Sequence, residues 1–360
     1  MHLFLCDWLP PDFGAVGQYA LQSARERAEA GEDVVLAGLS STRASVEDGP
    51  VGKGRLRVVR LFRPLYDRAS LRARAAWTLR TNLTLLWRLR REIARADEVL
   101  FTGSPPFLIH LLVPLNLFWR RRLTYRISDF YPEVLIAERG GASLPLSVLL
   151  RLTRALRRRV DRFEALGEDQ RERLLESGIE PGRIDVTPPG SPVPIEPGTK
   201  PLPRPEALRD RVVLLYSGNF GVPHDHETFL AGYRRHHREG SGRVALWLNA
   251  TGSRAELVEK ALRDEGLPVH RTRPVPLEEL ARLLVTPDAH LITLRDAFVG
   301  YVLPSKVYAC VLSGRPVLFI GSARSDVHRA CLEMGPFYTR VEVGDVDGVY
   351  RALEALAPSV

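Results

Sequence analysis

The sequence predicts an α/β protein made of two Rossmann-like units, each a doubly wound parallel sheet. Short apolar strand candidates alternate with amphipathic helix candidates along all 360 residues, which is typical of parallel α/β layers. Each half begins with a strand, a glycine-bearing turn and a helix, and the proline-dense stretch Pro188–Pro205 separates the halves. We therefore predict a domain over 1–195 and a domain over 196–360, which face a central cleft and bind ligands at the carboxyl ends of their strands.

The first half opens with a buried strand candidate, Leu3–Cys6, followed by the loop Pro10–Gly14. A helix is predicted from Ala15 to Ala30, and Gly31 ends it. Further strands are predicted at Val34–Leu39, Leu56–Leu61, Val99–Thr102 and Leu123–Ile127. In the second half the first strand is Val212–Tyr216, followed by a glycine-bearing turn and a helix from about His226. The later strands are Val244–Leu248, His270–Arg271, Ala289–Thr293 and Pro316–Ile320.

The most informative segment runs from residue 300 to residue 321. Gly300 begins a turn, Pro304 suits a first helical turn, and Gly314 ends a short helix before the apolar strand. Free N–H groups at the start of that helix, with Lys306 beside them, favour an anion. The segment predicts a nucleotide or a sugar phosphate as ligand.

Charge and composition narrow the function classes. The chain has 51 Lys and Arg against 43 Asp and Glu, a formal charge of +8 that rests mainly on arginine. This balance is consistent either with an acidic partner or with an arginine-rich composition alone. Nucleic acid is disfavoured as the partner, because the basic clusters lack interleaved aromatic residues or a recognition module.

Targeting and cysteine signals indicate a cytoplasmic protein. The segment Met1–Asp7 has no basic lead and is predicted to be a first strand rather than a signal peptide. The most apolar segment of the whole chain, Phe107–Trp119, is too short to span a bilayer. The three cysteines show no metal-ligand or redox spacing, and we expect Cys6 and Cys310 to be core residues.

Four motifs, in order around the proline-dense stretch, resemble the GT-B glycosyltransferases. The resemblance is to the family-four bacterial enzymes of capsule, exopolysaccharide, O-antigen and colanic-acid assembly. The motifs are Pro10–Gly14, Asp129–Glu133, Leu215–Gly221, and Leu303–Tyr308 followed by Gly314–Val317. The resemblance covers most of the chain. It implies a nucleotide-diphosphate sugar donor held mainly by the second domain and a lipid-linked or glycan acceptor held by the first. It also implies no metal and no cofactor beyond the donor.

The resemblance places the donor on several residues of the second domain. Those expected to bind it are Ser217, Gly218, Asn219 and Gly221 under the pyrophosphate, Ser305 at the phosphate–ribose end, Arg271 and Arg273 at the base, and Asp296 and Gly300 near the sugar. Lys306 is expected to neutralise the leaving diphosphate, a task suited to a fixed cation. The alternatives are a solvated Lys306 and a solvated arginine pair. His224 and His226 are interpreted as helix-entry residues that can touch phosphate rather than as metal ligands.

In the first domain, Gly14 and Gly17 either let a loop approach the donor phosphates or form an ordinary strand-to-helix turn. Asp129 is the candidate that accepts a proton from the attacking sugar hydroxyl or orients the acceptor, with Glu133 nearby to bind substrate. The alternative for Asp129 is a turn or N-cap residue.

One departure from the family pattern keeps two other functions open. Typical members carry two glutamates eight residues apart, and the corresponding positions here are Tyr301 and Ala309. A non-catalytic GT-B subunit that binds a sugar nucleotide or partner is therefore one alternative. A non-hydrolysing sugar-nucleotide epimerase on the same architecture is the other.

Arginines also mark a candidate membrane surface. The segment Leu146–Phe163 alternates Leu and Val with arginine, and Arg120–Arg122 follows an apolar run. This pattern predicts either a basic amphipathic surface for the anionic inner face of a membrane or a solvated helix face.

Overall fold

The computed structural model describes residues 1–12, 14–64 and 71–356. The chain folds as two compact units, Met1–Pro188 and Pro189–Val360, which we call the amino-terminal and carboxy-terminal units. Phe13, in the predicted loop Pro10–Gly14, lies outside the described residues. Within the described part of the chain, no helix is both long enough and apolar enough to cross a membrane.

The amino-terminal unit contains an eight-stranded sheet. Its strands are β1 His2–Trp8, β2 Asp33–Ser40, β3 Ser45–Val51, β4 Gly54–Phe62, β5 Glu98–Thr102, β6 Arg122–Ile127, β7 Arg162–Ala165 and β8 Ile184–Val186. The order is β3-β4-β2-β1-β5-β6-β7-β8. All neighbours are parallel except β3, which pairs antiparallel with β4. Strand order therefore reverses between β1 and β5, as in a doubly wound fold.

Seven helices of this unit are described: α1 Ala15–Glu29, α2 Leu71–Arg88, α3 Arg90–Arg95, α4 Ile109–Trp119, α5 Glu133–Arg139, α6 Leu144–Arg157 and α7 Glu168–Glu176. The alanine stripe Ala20, Ala24 and Ala28 of α1 packs against Phe4 and Leu36 of the sheet. The connections that contain α2, α4 and α6 all step in the opposite direction along the sheet from the connection through α1. Because such crossovers are right-handed, α2, α4 and α6 share the sheet face opposite α1.

The carboxy-terminal unit has a six-stranded, fully parallel sheet. The strands are β9 Val212–Asn219, β10 Val244–Thr251, β11 Val269–Thr272, β12 Ala289–Thr293, β13 Val317–Ile320 and β14 Tyr338–Val341, in the order β11-β10-β9-β12-β13-β14. The helices are α8 Glu227–Glu239, α9 Ser253–Asp264, α10 Leu277–Leu284, α11 Lys306–Leu312, α12 Asp326–Cys331 and α13 Val346–Leu356. Two sheets of this order confirm the prediction of two Rossmann-like units.

The start of α11 differs from the prediction. Ser305 is the cap residue and the helix begins at Lys306, so Pro304 precedes the cap instead of lying in the first turn. Gly314 has φ 67° and ends the helix as predicted. Cys6 and Cys310 are buried core residues, also as predicted.

The predicted basic amphipathic surface over Leu146–Phe163 is wrong for the second part of that segment. Helix α6 ends at Arg157, and Phe163 is a buried residue of β7. Arg157 is fully buried, where it donates to both carboxylate oxygens of Glu133 and, over 3.0 Å, to the Tyr131 carbonyl oxygen. A buried guanidinium needs such partners, so this arginine holds α5 and α6 together rather than facing a membrane.

Removal of this arginine should destabilise the amino-terminal unit strongly. We expect Arg157→Ala to lower the free energy of unfolding by about 3–5 kcal/mol, because the Glu133 carboxylate is left buried and unpaired. Urea denaturation measures the loss. Arg159→Ala, an exposed neighbour, is the control and should stay within about 0.5 kcal/mol of wild type. Equal losses in the two variants would contradict a structural role for the ion pair.

Candidate functional site

In the amino-terminal unit, polar side chains meet where the strand order reverses. Asp7 lies near the end of β1, Ser104 follows the neighbouring β5, and Asp129 follows β6. Ser104 Oγ donates a hydrogen bond to Asp7 Oδ2. Asp7 Oδ1 is buried and has no hydrogen-bond partner among the described residues. A free acceptor oxygen at the carboxyl end of a parallel sheet is positioned to meet a ligand hydroxyl.

The two carboxyl groups are electrostatically coupled. Burial, and then the negative charge of Asp7, raise the pKa of Asp129 from 3.8 to about 6. Burial raises the pKa of Asp7 to about 6 as well, although the hydrogen bond from Ser104 opposes the shift. Like charges in a desolvated place disfavour double ionisation, so the pair can hold or accept a proton near neutral pH.

Asp7 was not predicted from the sequence. Asp7 directly follows the apolar run Leu3–Cys6, which predicts a buried strand and assigns no role to the next residue. The available signal was a carboxylate at the penultimate position of a buried parallel strand, which places it at the ligand-binding edge.

The two glycines of the amino-terminal loop have different surroundings. Gly17, in α1, packs against the chain just after β1, and a Cβ there would lie 2.8 Å from the Trp8 carbonyl carbon and closer still to its oxygen. Gly14, the cap residue of α1, has extended backbone, and a Cβ would lie 3.8 Å from the Trp8 oxygen. Gly17 is thus required by close helix–strand packing. Phosphate contact by either glycine stays a prediction.

Glu133, predicted beside Asp129 to bind substrate, is held by Arg157 and is 6% exposed. The ion pair occupies both of its oxygens. The two carboxylates thus differ in their surroundings: Glu133 joins two helices through its ion pair, whereas Asp129 forms no ion pair with any residue that the structure describes.

In the carboxy-terminal unit the strand order reverses between β9 and β12, and Lys306 lies there. Its Nζ is 3.4 Å from the centroid of the Tyr216 ring, a cation–π contact. A Cβ at Gly218 would lie 3.7 Å from that Nζ, so the ammonium faces the end of β9. Gly218 has φ 110°, a conformation that favours glycine.

The Lys306 ammonium is buried and has no hydrogen-bond partner among the described residues. Burial lowers its pKa from 10.5 to about 7. A desolvated cation with unfilled donors is expensive unless an anion pairs with it. The position predicted from sequence to meet the diphosphate therefore holds a cation that lacks a counter-charge.

His224 lies close enough to Lys306 to feel its charge, and its own ring is neutral. Its Nδ1 lies 2.6 Å from the Thr293 carbonyl oxygen, at the end of β12. Burial and the nearby Lys306 charge lower its pKa to about 3, so the ring is neutral. His226 is the cap residue of α8, as predicted for a helix-entry residue, and Asp225 accepts from Thr228 Oγ1 over 3.1 Å. The described residues contain no group of three His, Cys, Asp or Glu placed to hold a metal.

The other predicted donor residues lie at this edge or beside it. Ser217, Gly218 and Asn219 end β9, and Gly221 follows. Asp296 is exposed and opens a single turn that ends at the buried Phe298. Gly300 has φ 78°, and Ser305 precedes α11. Arg271 is engaged by Glu259 of α9 at 2.8 Å, whereas the Arg273 side chain is exposed. If Arg271 binds the base of the donor, the same guanidinium must also keep or give up its ion pair with Glu259.

The structure gives a reason for the absence of a glutamate at Ala309, one of the two positions where the resembling family carries glutamates. Ala309 is 3% exposed and packs in a cluster with Val193 and Leu284. A glutamate there would place a charge in an apolar cluster, so this chain cannot carry the family's second glutamate at position 309 without repacking. Tyr301 is half-buried.

Alanine substitutions at Gly17 and Gly14 compare a tightly packed position with one that has room for a methyl group. We expect Gly17→Ala to lower the free energy of unfolding by about 1–3 kcal/mol, because the helix must move away from the Trp8 carbonyl group. Gly14→Ala is the matched variant and should lose much less. Urea denaturation of both measures the difference. A smaller loss at position 17 than at position 14 would refute the packing requirement.

The carboxyl pair predicts a pH dependence of stability. Because the pKa values of Asp7 and Asp129 are raised in the fold, the folded state binds more protons between pH 4 and 6, and stability falls as pH rises through that window. We expect Asp129→Asn to be more stable than wild type at pH 7, by on the order of 1 kcal/mol, and equal to it at pH 4. Urea denaturation across this range checks the slope. Exposed Asp210→Asn is the control, and an identical slope in wild type and Asp129→Asn would disprove the coupling.

Comparisons with known proteins agree with this architecture. Residues 14–190 match the family described as Glycosyl transferase 4-like domain. The probable glycosyltransferase WbjE of Pseudomonas aeruginosa is 25% identical over 258 residues, a region that covers 67% of this chain and 62% of WbjE. This chain thus spans less than two thirds of that relative.

Two solved structures share the fold over about nine tenths of their length. The trehalose-6-phosphate protein from E. coli bound with UDP-2-fluoro glucose aligns with TM-score 0.64 and 14% identity, over 100% of this chain and 91% of that one. WaaG, a glycosyltransferase involved in lipopolysaccharide biosynthesis, aligns with TM-score 0.62 and 16% identity, over 99% of this chain and 91% of that one. The chain therefore has the GT-B fold of these glycosyltransferases, and residues 14–190 of its amino-terminal unit match a glycosyl transferase 4-like domain.

Proposed function

We propose that the protein transfers a sugar from a nucleotide-diphosphate donor, bound by the carboxy-terminal unit, to a lipid-linked or glycan acceptor, bound by the amino-terminal unit. One observation carries the proposal: the buried Lys306 ammonium, without a partner among the described residues, beside Gly218 at the end of β9. A diphosphate supplies the counter-charge that this cation lacks.

The physical argument rests on the cost of burying a charge. The Tyr216 ring face stabilises the ammonium only in part, and burial still lowers the Lys306 pKa to about 7. A bound diphosphate restores the charged form and raises that pKa. As the bond to the sugar breaks, negative charge grows on the leaving phosphate, and the fixed cation stabilises it most at that moment.

The relatives support the class of substrate. The E. coli neighbour holds UDP-2-fluoro glucose, which favours a nucleotide sugar as the donor here. WaaG is involved in lipopolysaccharide biosynthesis, which favours a surface polysaccharide or glycoconjugate as the product. We propose retention of anomeric configuration, on the family resemblance. We also propose that no metal or cofactor is needed, because Lys306 itself neutralises the diphosphate.

In the amino-terminal unit, Asp129 takes the part of proton acceptor or acceptor-orienting group. Its raised pKa of about 6 leaves it ionised at pH 7 and still basic enough to take a proton from a sugar hydroxyl. Asp7, with one oxygen free of hydrogen bonds, helps to hold that proton through the coupled pair.

Calorimetric titration with UDP, GDP, ADP and TDP tests the donor site. We expect one nucleotide to bind, and Lys306→Met to lose about 1.5–3 kcal/mol of binding free energy because a charge-assisted contact is removed. Since the Lys306 pKa is about 7 in the free protein, binding should take up a proton above pH 7, and affinity should fall from pH 7 to pH 9. Titration in buffers of different ionisation enthalpy measures that proton.

Lys306→Arg is the matched control, because it keeps a cation that stays charged throughout this range and should remove the pH dependence. If no nucleotide binds, or Lys306→Met binds as wild type does, the donor-site assignment fails. If a nucleotide sugar binds but is neither hydrolysed nor transferred, the non-catalytic subunit is the correct reading. Conversion of the donor to its epimer without an acceptor would identify an epimerase.

A further inference from the structure

Three neighbouring helices of the amino-terminal unit leave large apolar side chains uncovered. Helices α2, α4 and α6 lie on one face of the sheet, and α4 packs against both of the others. Phe118, the penultimate residue of α4, is 85% exposed. Leu144 at the start of α6 is 80% exposed, and Trp87 near the end of α2 is 59% exposed. Side chains of this size are usually buried.

The exposed apolar residues follow the helix period. On α2 they are Leu79, Leu83 and Trp87, and on α6 they are Leu144, Val148 and Leu152, each four residues apart. Residues at this spacing lie on one side of a helix. With Leu117 and Phe118 of α4 they form what we call the outer face of the amino-terminal unit. Contiguous exposed apolar surface of this kind marks an interaction site.

The charges on the outer face have a single sign. The sequences of α2, α4 and α6 contain no Asp or Glu, although the whole chain has 43 acidic residues. Exposed arginines border the apolar residues: Arg80 and Arg88 on α2, Arg120 and Arg122 after α4, and Arg151 and Arg154 on α6. By contrast, α1 on the opposite face mixes arginine with glutamate. The arginine guanidinium of Arg90 also lies 4.8 Å over the Trp87 ring.

We propose that the outer face docks onto the surface of an anionic lipid bilayer. A bilayer offers anionic headgroups for the arginines and hydrocarbon for Phe118, Leu144 and the leucine stripes. Trp87 and the arginine stems suit the boundary between the two, where amphipathic side chains concentrate. A second copy of this face is a poorer occupant, because it would bring two arginine-rich, acid-free surfaces together.

This docking goes beyond the proposed transfer reaction and does not depend on it. The surface is formed by α2, α4 and α6, whereas the donor residues lie in the other unit. It also revises the sequence-based prediction: Arg157 is excluded from the membrane surface by its burial, and α2 is added to it.

Vesicle co-sedimentation of the full-length protein tests the proposal. We expect binding to vesicles of phosphatidylcholine with about 30 mol % phosphatidylglycerol, weak binding to phosphatidylcholine alone, and loss of binding as salt rises. No nucleotide sugar or acceptor is present, so failure of the transfer reaction does not affect the result.

Two variants separate the charge and the apolar contribution. Arg151→Glu combined with Arg154→Glu should lower the vesicle partition coefficient by roughly 30-fold or more. Phe118→Ser should lower it by about tenfold or more, because a large apolar side chain no longer enters the bilayer. The matched controls are Arg43→Glu and Val46→Ser, which alter exposed residues of the same unit away from the outer face and should bind as wild type does. Circular dichroism verifies that all variants are folded.

A fluorescent label shows which face meets the lipid. The three native cysteines are buried, so Leu144→Cys offers a single exposed thiol for an environment-sensitive dye. Its emission should shift to the blue on anionic vesicles, while the same dye on Val46→Cys should not change. Equal shifts at both positions, binding that ignores the outer-face variants, or a solution dimer that Phe118→Ser dissociates would each overturn the proposal.

Discussion

The reversal of strand order beside the first strand is the constraint on which both units depend. On the two sides of β1, and likewise of β9, the chain connections run in opposite directions along the sheet. A crevice therefore opens at the carboxyl ends of these strands. Asp7 Oδ1 and Lys306 Nζ, each at such an edge, are buried without a hydrogen-bond partner among the described residues. Asp7 and Asp129 lie at this position in one unit and Lys306 in the other, and burial shifts the pKa of each toward its neutral form. The fold thus creates desolvated sites of opposite charge by the same topological means.

The two sites therefore suit opposite partners. A coupled pair of carboxyl groups can accept hydrogen bonds from hydroxyl groups, and a buried ammonium can pair with an anion. These preferences match the sugar acceptor and the diphosphate donor of the proposed reaction. Other residues that the sequence suggested as site residues have structural roles instead. Glu133 and Arg157 join α5 to α6, and Gly17 allows α1 to pack closely against Trp8 at the end of β1. These contacts fix the edge on which the charged groups lie.

The sequence allowed prediction of what is local or periodic. Short apolar runs predicted β1, β2, β9 and β10, and glycines predicted the turns. Strand β3 was missed because Glu47, Asp48 and Pro50 hide its pairing with β4. Arginine is normally exposed, so the burial of Arg157 depended on a partner 24 residues away that no period reveals. The contact of Lys306 with Tyr216 likewise joins β9 to α11 across 90 residues of chain, and only tertiary structure shows it.

The two charged sites affect stability in opposite pH windows, and their overlap has a functional consequence. The raised carboxyl pKa values cost stability increasingly from about pH 4 and fully above about pH 6. The lowered Lys306 pKa costs stability fully below about pH 7 and less and less as pH rises toward 10.5. Between these values all three groups are charged and desolvated in the free protein, so both costs apply together. Under the proposed function, a diphosphate at Lys306 would remove one cost and an acceptor hydroxyl bonded to Asp129 would offset the other. Near neutral pH, the unliganded protein therefore carries the full free-energy cost of burying all three charges. In the proposed reaction, substrates that pair with these groups would lower that cost and gain affinity from it.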